Sequence, residues 1–399
     1  MEKKEKFSVG IIGCGFAGGR FLRALIHRER TIGDVYVKAV CDFDLTKLDI
    51  FKQTNISTYA KVRDMLSADQ YDIIILATNE SNHYDVLCDI KKYSKIFKRL
   101  LVEKLLVETL KQAESIKKIF NEKDISVHFV ERHSLVVKKL MDWIEKKELV
   151  VKRASFFWGK YRLHDHRPTT GVTSEISHPI DLILMISRLS SNESFEILQG
   201  SYIFSDYSCS GNRVIDTINV NLRLGKELVV NCNSSFLWHE RNRRIILYLA
   251  DSNGKVSHVA NIVFDNPYWD LDSCTISEIN PINGKRKIEE KWEIRQDDVD
   301  NKILCINKTY HFLNENIREL KGGRKSDILA RLSSACYIQN IVGSLLKDAH
   351  KSIVETPIFG KCSLRTPLIQ KSHDLLRRFI KDDNFSREDI GKWDEINFL

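Results

Sequence analysis

The sequence predicts an α/β chain in two parts: a parallel sheet with helices on both faces, followed by an α+β domain with a large, open, mostly antiparallel sheet. Three observations predict it. Over residues 7–130, short apolar runs alternate with amphipathic helical stretches, and strands apolar on both faces belong to parallel sheets covered by helices. Beyond residue 131, period-two strands separated by turn signals dominate, the pattern of antiparallel pairing. Finally, 399 residues exceed one ordinary core and suit two. The expected divisions are 1–130, 131–350 and a C-terminal extension, 351–399, packing back on the body.

Each element follows from its own pattern. Phe7 to Ile12 is a β-branched apolar strand, followed by glycines and a helix to about His27. Val35 to Cys41 is the next strand. Val62 to Leu66 suits a short helix, Ile73 to Ala77 a buried strand, Tyr84 to Lys92 a helix and Arg99 to Val102 a strand. Leu110 to Asn121 is helical and Ser126 to Val130 extended. In the second half, Val136 to Glu145 and Ile180 to Ser187 are helical. Ser201 to Ser205, Thr217 to Leu224, Glu227 to Asn233, Arg244 to Ala250 and Lys291 to Ile294 are strands. Turn signals separate them at Ser210-Gly211-Asn212, Asp251 to Gly254 and Asn283-Gly284. Ser326 to Leu346 completes the pattern as a long amphipathic helix.

Composition narrows the function classes. A net charge of +8 comes from 62 basic and 54 acidic residues, intermixed along the chain. Without a basic block, a nucleic-acid partner is not expected. Anionic metabolites account for the excess as well. The nine cysteines form no CxxC pair and suit buried thiols of a reducing, cytoplasmic compartment. The apolar runs, such as Ile73 to Thr78 and Ile180 to Ile186, are too short to span a bilayer, so no membrane partner is expected. The start, Met1 to Lys6 before Phe7, resembles a signal peptide only until the glycines and helical periodicity that follow it.

The first strand runs into Gly13-Cys14-Gly15-Phe16-Ala17-Gly18 and then a helix. In this GxGxxG, Gly13 permits the turn, Gly15 lets backbone approach a pyrophosphate and Gly18 lets the helix sit close to the strand. The phosphates rest on the helix N-terminus. Asp42 closes the second strand, placed to hold a ribose diol, and Asp42-Phe43-Asp44 lacks the basic pattern of a phosphate reader. The first domain is therefore a Rossmann domain, for NAD or NADP, with NAD favoured by Asp42. The third apolar strand ends in Ala77-Thr78-Asn79-Glu80-Ser81-Asn82-His83, where strand ends line the dinucleotide crevice. Thr78 and Asn79 either contact the cofactor or simply cap the next helix.

Two further segments carry chemistry. Val102-Glu103-Lys104-Leu105 puts a lysine at the carboxyl end of a parallel strand, on the edge where the cofactor lies. Later, Ser174-Glu175-Ile176-Ser177-His178-Pro179-Ile180-Asp181 places Ser174, His178 and Asp181 on one face if helical. Pro179 makes the helix begin or bend near itself. Between them, Tyr161 to Arg167 is a polar cluster suited to a polyhydroxylated or phosphorylated substrate. Its His164 and His166 lack further ligands at metal spacing, so no metal is expected.

Taken together, these motifs resemble the Gfo/Idh/MocA oxidoreductases, the glucose-fructose oxidoreductase and inositol dehydrogenase group. The resemblance rests on Gly13 to Gly18 with Asp42, Ala77-Thr78 through His83, Glu103-Lys104 and His178 through Asp181, in that order, with Glu131-Arg132-His133 entering the second domain. It implies hydride transfer between nicotinamide and a sugar, cyclitol or sugar-nucleotide carbon. Catalysis then falls to Lys104, His178 and Asp181. The implied cofactor contacts are Gly13, Cys14, Gly15, Phe16, Ala17, Gly18, Asp42, Thr78, Asn79, His83, Glu103 and Lys104. The substrate contacts are Arg132, Tyr161, Arg162, His164 and Glu175. Homodimers or homotetramers, built on the open sheet, are also implied. Two departures stand out: Leu105 replaces the family's proline, and Ser174 replaces an acid common four residues before the histidine. They keep two alternatives open, an imine (C=N) reductase and a cofactor-binding regulator without turnover.

Overall fold

The computed structural model describes residues 6–52, 54–94, 97–162, 171–207, 214–348, 353–355 and 378. In chain order the elements are β1 (Phe7–Ile12), α1 (Phe16–Thr31), β2 (Val35–Cys41), α2 (Leu45–Leu48), β3 (Ser57–Tyr59), α3 (Val62–Ala68), β4 (Ile73–Leu76), α4 (His83–Tyr93), β5 (Arg99–Glu103), α5 (Leu110–Ile119) and β6 (Ile125–His128). There follow α6 (Leu135–Lys146), β7 (Val150–Tyr161), α7 (Thr173–Ile186), β8 (Phe195–Ser205), β9 (Val214–Leu224), β10 (Leu228–Ser235), β11 (Leu237–Ala250), β12 (Val256–Phe264), β13 (Ser273–Ile279) and β14 (Arg286–Glu293). The last are α8 (Asn307–Leu320), β15 (Ala330–Arg331), α9 (Leu332–Asp348) and β16 (Ile353–Glu355). No described helix is long and apolar enough to cross a membrane.

Two compact units form. The first joins the chain up to Val130 with Asp300–Gln339. Its sheet runs β15-β6-β5-β4-β1-β2-β3, parallel throughout except for the short β15. β1, β4 and the first four residues of β5 are buried on both faces, as a helix-covered parallel sheet requires. The order reverses between β1 and β4, so their carboxyl ends open the crevice where doubly wound sheets bind ligands.

Residues 300–339, expected with the second domain, pack in this unit instead. Arg28 of α1 forms a two-pronged pair with Asp34, at 2.9 and 2.7 Å, and Lys321 reaches the same carboxylate at 2.5 Å from just beyond α8. Arg99 at the start of β5 and Arg331 of β15 share Glu319 of α8. These buried charges hold α8 to the sheet, while Phe312 packs on Phe21. Sequence periodicity did not reveal α8, because only a narrow stripe of it, including Phe312, Leu313 and Ile317, is apolar. The helix expected from Ser326 begins at Leu332, because Ala330 and Arg331 pair with β6 first.

The second unit comprises Glu131–Val299 and, among the described residues beyond it, 340–348 and 353–355. Its nine-stranded sheet runs β14-β13-β12-β11-β7-β10-β9-β8-β16, antiparallel except for β10 with β7 and β16 with β8. β7 alternates inward Ala154, Phe156 and Trp158 with half-exposed neighbours, the period-two signature of a sheet covered on one face. All fourteen residues of α7 are buried.

Candidate functional site

The glycine loop follows from steric limits. Gly13 has φ +96°, and a Cβ there would sit 2.6 Å from the Ala77 carbonyl oxygen, so β1's turn closes against the end of β4. A Cβ at Gly18 would overlap the Gly13 carbonyl oxygen, which fixes how closely α1 approaches the loop. At Gly15, by contrast, a Cβ would meet nothing within 4 Å. Gly15 is also the N-cap of α1, with no side-chain cap and no acid in the first turn. That arrangement suits an anion, because the first-turn N–H groups have no intrahelical acceptor. Phe16 and Ala17 are half-exposed beside it. The donor set therefore fits a dinucleotide pyrophosphate.

Several expected cofactor contacts are engaged within the protein. The Cys14 N–H donates to Asp42 Oδ2 at 2.7 Å, and the Asp44 N–H donates to Asp42 Oδ1 at 2.9 Å. Asp42 is thus a brace for the loop before it is a ribose acceptor. The Cys14 thiol is buried, and burial pushes it and the Cys41 thiol up, the latter to about 12. Neither is a reactive nucleophile. Asn79 accepts from the Ser81 N–H and hydroxyl at 3.0 and 2.8 Å, the capping role that competed with cofactor contact. Thr78 is half-buried in the same loop.

His83 is corrected outright. It is fully buried, with Nδ1 2.8 Å from the Leu105 carbonyl oxygen and Nε2 3.1 Å from that of Thr78. Burial lowers its pKa, against the pull of Glu80 and the carbonyls. The ring therefore lies between the loop after β4 and the turn after β5, and in its neutral form donates to one of the two carbonyls. That turn carries Lys104, half-buried, and the Lys104–Leu105 peptide is cis. Glu103 gives its carboxylate to His128 Nδ1 at 2.7 Å. Burial raises its pKa, but His128, Arg20 and Lys104 together outweigh burial and leave it lowered. Glu103 is an ionised anchor beside Lys104.

In the second unit, α7 carries its polar side chains into a buried charge cluster. Asp181 is 0% exposed, and Arg132 holds it with Nε and a terminal nitrogen, each at 2.6 Å. This two-pronged pairing occupies both Asp181 oxygens and two of the three Arg132 nitrogens within the protein. The pairing follows from burial, because a buried charge must be matched. Glu175 meets Lys160 of β7 at 2.6 Å and lies 3.6 Å from Arg243 of β11. Arg243 also pairs with Asp265, and with Glu131 at 3.2 Å, beneath the rings of Trp158 and Trp269.

His178 stacks on Trp158, with centroids 6.1 Å apart, and Ser174 bonds to the Gly171 carbonyl at 3.2 Å. Pro179 lies inside α7 rather than at its start. Tyr161 ends β7 half-exposed, while the Arg162 guanidinium lies over the Phe236 ring and its backbone N–H donates to the Phe236 carbonyl at 2.7 Å. His164 lies outside the described residues.

Sequence reasoning missed Lys160 and Arg243. Parity could have found both. Lys160 is in phase with inward Phe156 and Trp158, and Arg243 with inward Ile245 and Leu247. Among the described residues, Glu131, Asp265 and Asp272 also come within metal-binding distance of one another. The Arg243 guanidinium already neutralises two of them.

Comparison with known proteins agrees with this geometry. No curated protein matches the chain significantly in sequence. Solved structures do match it in fold. A putative NADPH-dependent oxidoreductase from Desulfitobacterium hafniense has TM-score 0.67 and 13% identity, covering 87% of this chain and 96% of that one. KijD10, a 3-ketoreductase from Actinomadura kijaniata solved with NADP and TDP-benzene, has TM-score 0.66 and 13% identity, covering 88% and 100%. A mutant of Gal80p from Saccharomyces cerevisiae has TM-score 0.65 and 15% identity, covering 86% and 96%. Residues 7–130 match the profile of the GFO_IDH_MocA oxidoreductase family, NAD-binding Rossmann fold. Residues 7–130 are thereby identified as an NAD-binding Rossmann domain of the Gfo/Idh/MocA oxidoreductase type.

Proposed function

We propose that the chain is an NAD(P)-dependent oxidoreductase acting on the hydroxyl or carbonyl carbon of a sugar, cyclitol or sugar nucleotide. One observation carries the reading: Lys104 stands at the carboxyl end of β5, the strand beside β4, whose own end closes on the glycine loop. The dinucleotide, when bound, supplies or accepts the hydride. The chain's residues do the rest. The N-terminus of α1 balances the pyrophosphate. The Lys104 ammonium donates a proton to the carbonyl oxygen as it is reduced, and the amine takes one from the hydroxyl in the reverse direction. Glu103 and the His83 ring keep Lys104 in place.

The 3-ketoreductase among the structural neighbours supports a keto-sugar chemistry. A second copy of the chain is the expected partner of the open sheet face, where Trp238 and Tyr248 are exposed. Lys104→Ala tests the assignment: turnover falls by about 10²–10⁴ while dinucleotide affinity stays within a few-fold, as removal of a proton donor requires. A mutant at wild-type rate removes Lys104 from the mechanism.

A second reading has its own support. Gal80p, described as a transcriptional regulator, is among the structural neighbours, and Leu105 and Ser174 depart from the family pattern. On that reading the chain binds the dinucleotide and acts without turnover, so calorimetry detects binding where no substrate panel detects hydride transfer.

A further inference from the structure

We propose that His128 is a positioning residue for Lys104, acting through Glu103: its ring N–H holds the Glu103 carboxylate in place and off the neighbouring lysine. This assignment rests on the reading of Lys104 as the proton donor and adds how that lysine is placed. Glu103 ends β5 and His128 ends β6, and the two are partners in the parallel register. Their side chains therefore rise from the same face of adjacent strands, with His128 Nδ1 2.7 Å from Glu103 Oε1. An ionised carboxylate only accepts, so Nδ1 carries the proton. Several neighbours hold the Glu103 carboxyl below its ordinary value against burial, and His128 comes first among them. Arg20 and Lys104 act on it by charge, whereas His128 adds a hydrogen bond.

The donor is itself held by packing. His128 is 1% exposed, and its ring centroid lies 4.9 Å from that of Phe21 on α1 and 4.6 Å from that of Phe312 on α8. Phe21 and Phe312 also meet edge-on. Three rings thus fix the direction of Nδ1, and the carboxylate it binds belongs to the residue immediately before Lys104. A group is placed closely when the side chains behind it are locked in this way. Sequence reading took Ser126 to Val130 only as a strand and passed over His128, because its register with Glu103 leaves no trace in spacing.

The consequence follows from charge. The Glu103 side chain is 16% exposed, so its carboxylate needs a partner within the protein. Without the His128 donor, Arg20 and Lys104 are the cations left to it. A lysine ammonium drawn onto a carboxylate gives up its proton less readily. It also leaves the position that proton transfer requires, and a displacement of about 1 Å costs about 10²-fold in rate.

Two variants of the full chain separate this role from packing. His128→Phe keeps a ring between Phe21 and Phe312 and removes the donor. His128→Asn brings an amide N–H close to where Nδ1 stood and removes the ring. Thermal melting checks folding, trace acetic anhydride with peptide mass spectrometry reads the reactivity of Lys104, and kcat and KM are measured on a keto-sugar that the wild type reduces. His128→Phe slows Lys104 acetylation about tenfold and lowers kcat about tenfold with KM within a few-fold, while His128→Asn retains most of both. A packing role gives the reverse order, with His128→Phe silent and His128→Asn harmful, and overturns the proposal. So does a His128→Phe variant whose Lys104 reacts as in the wild type. Where His128→Asn fails to fold, a Glu103→Gln background decides. There His128→Phe must leave Lys104 acetylation unchanged, and an effect of full size overturns action through Glu103. If the wild type reduces no substrate, the functional reading falls, while the acetylation data still decide whether His128 places Lys104.

Discussion

The two units spend their buried charge differently. In the first, Asp34, Asp72, Glu103 and Glu319 pair with cations or backbone donors that fasten α1, α8 and the strand ends to the sheet. The glycine loop itself stays almost free of side-chain chemistry. In the second, Arg132 and Arg243 gather Asp181, Glu131, Glu175 and Asp265 around the first half of α7. One unit uses charge as an outer frame and leaves its candidate site to backbone geometry. The other builds the surroundings of its candidate histidine out of charge. Substitutions should therefore act through sterics in the first and through electrostatics in the second.

The largest effect is expected in the second unit. Arg243→Met leaves Glu131, Asp265 and Glu175 short of a cation, and stranding buried charges in this way costs about 3–5 kcal/mol. Tryptophan fluorescence of a Trp393→Phe background in denaturant reads this unit, since the other five of the six tryptophans, Trp143, Trp158, Trp238, Trp269 and Trp292, lie in it. An unshifted midpoint would mean that the acids are held by other partners. Next come the glycines. Gly18→Ala drives a Cβ into the Gly13 carbonyl and costs about 1–3 kcal/mol as overpacking does. Gly15→Ala meets no protein atom within 4 Å, so stability holds to within about 0.5 kcal/mol while dinucleotide affinity falls. Equal losses of stability from both would contradict the account of the loop.

The smallest effect is the response to acid. Asp34 and Glu319 are both raised by burial. For Asp34, hydrogen bonds and charge from Arg28 and Lys321 outweigh that rise. For Glu319, the Ser326 N–H, Arg331 and Arg99 do so. Each ends below its ordinary value of 3.8 or 4.5. Their stabilisation is complete above those values and is lost as pH falls through the depressed folded-state pKa. Asp216 in the second unit has the opposite sign. Burial raises it against Ser205 and Thr217, so its protonation at low pH favours the folded state. Hydrogen exchange across an acid titration should show the first unit opening before the second, and the reverse order would refute this division.

Legibility in the sequence divides along the same line. The glycine loop, Asp42 and Lys104 are contiguous motifs at strand ends, so chain order alone placed them in the crevice. Even there, Asp42 and His83 turned out to brace the loops, because hydrogen-bond capacity is settled by neighbours that a motif does not name. The charge cluster draws on residues 131, 132, 160, 175, 181, 243 and 265, spread over several elements. Strand parity at Lys160 and Arg243 was its one local trace. Asp181 and Arg132 were expected at the substrate, and their mutual pairing arises only when α7 packs beside residue 132.

The central claim is hydride transfer, and one measurement reaches it directly. The full chain is mixed with the 4-deuterated reduced dinucleotide and a panel of keto-sugars and keto-sugar nucleotides, and products are examined by mass spectrometry. The account predicts deuterium on the new carbinol carbon of at least one substrate, lost in Lys104→Ala. A chain that binds the dinucleotide and transfers no label to any of them contradicts it, and leaves the regulator.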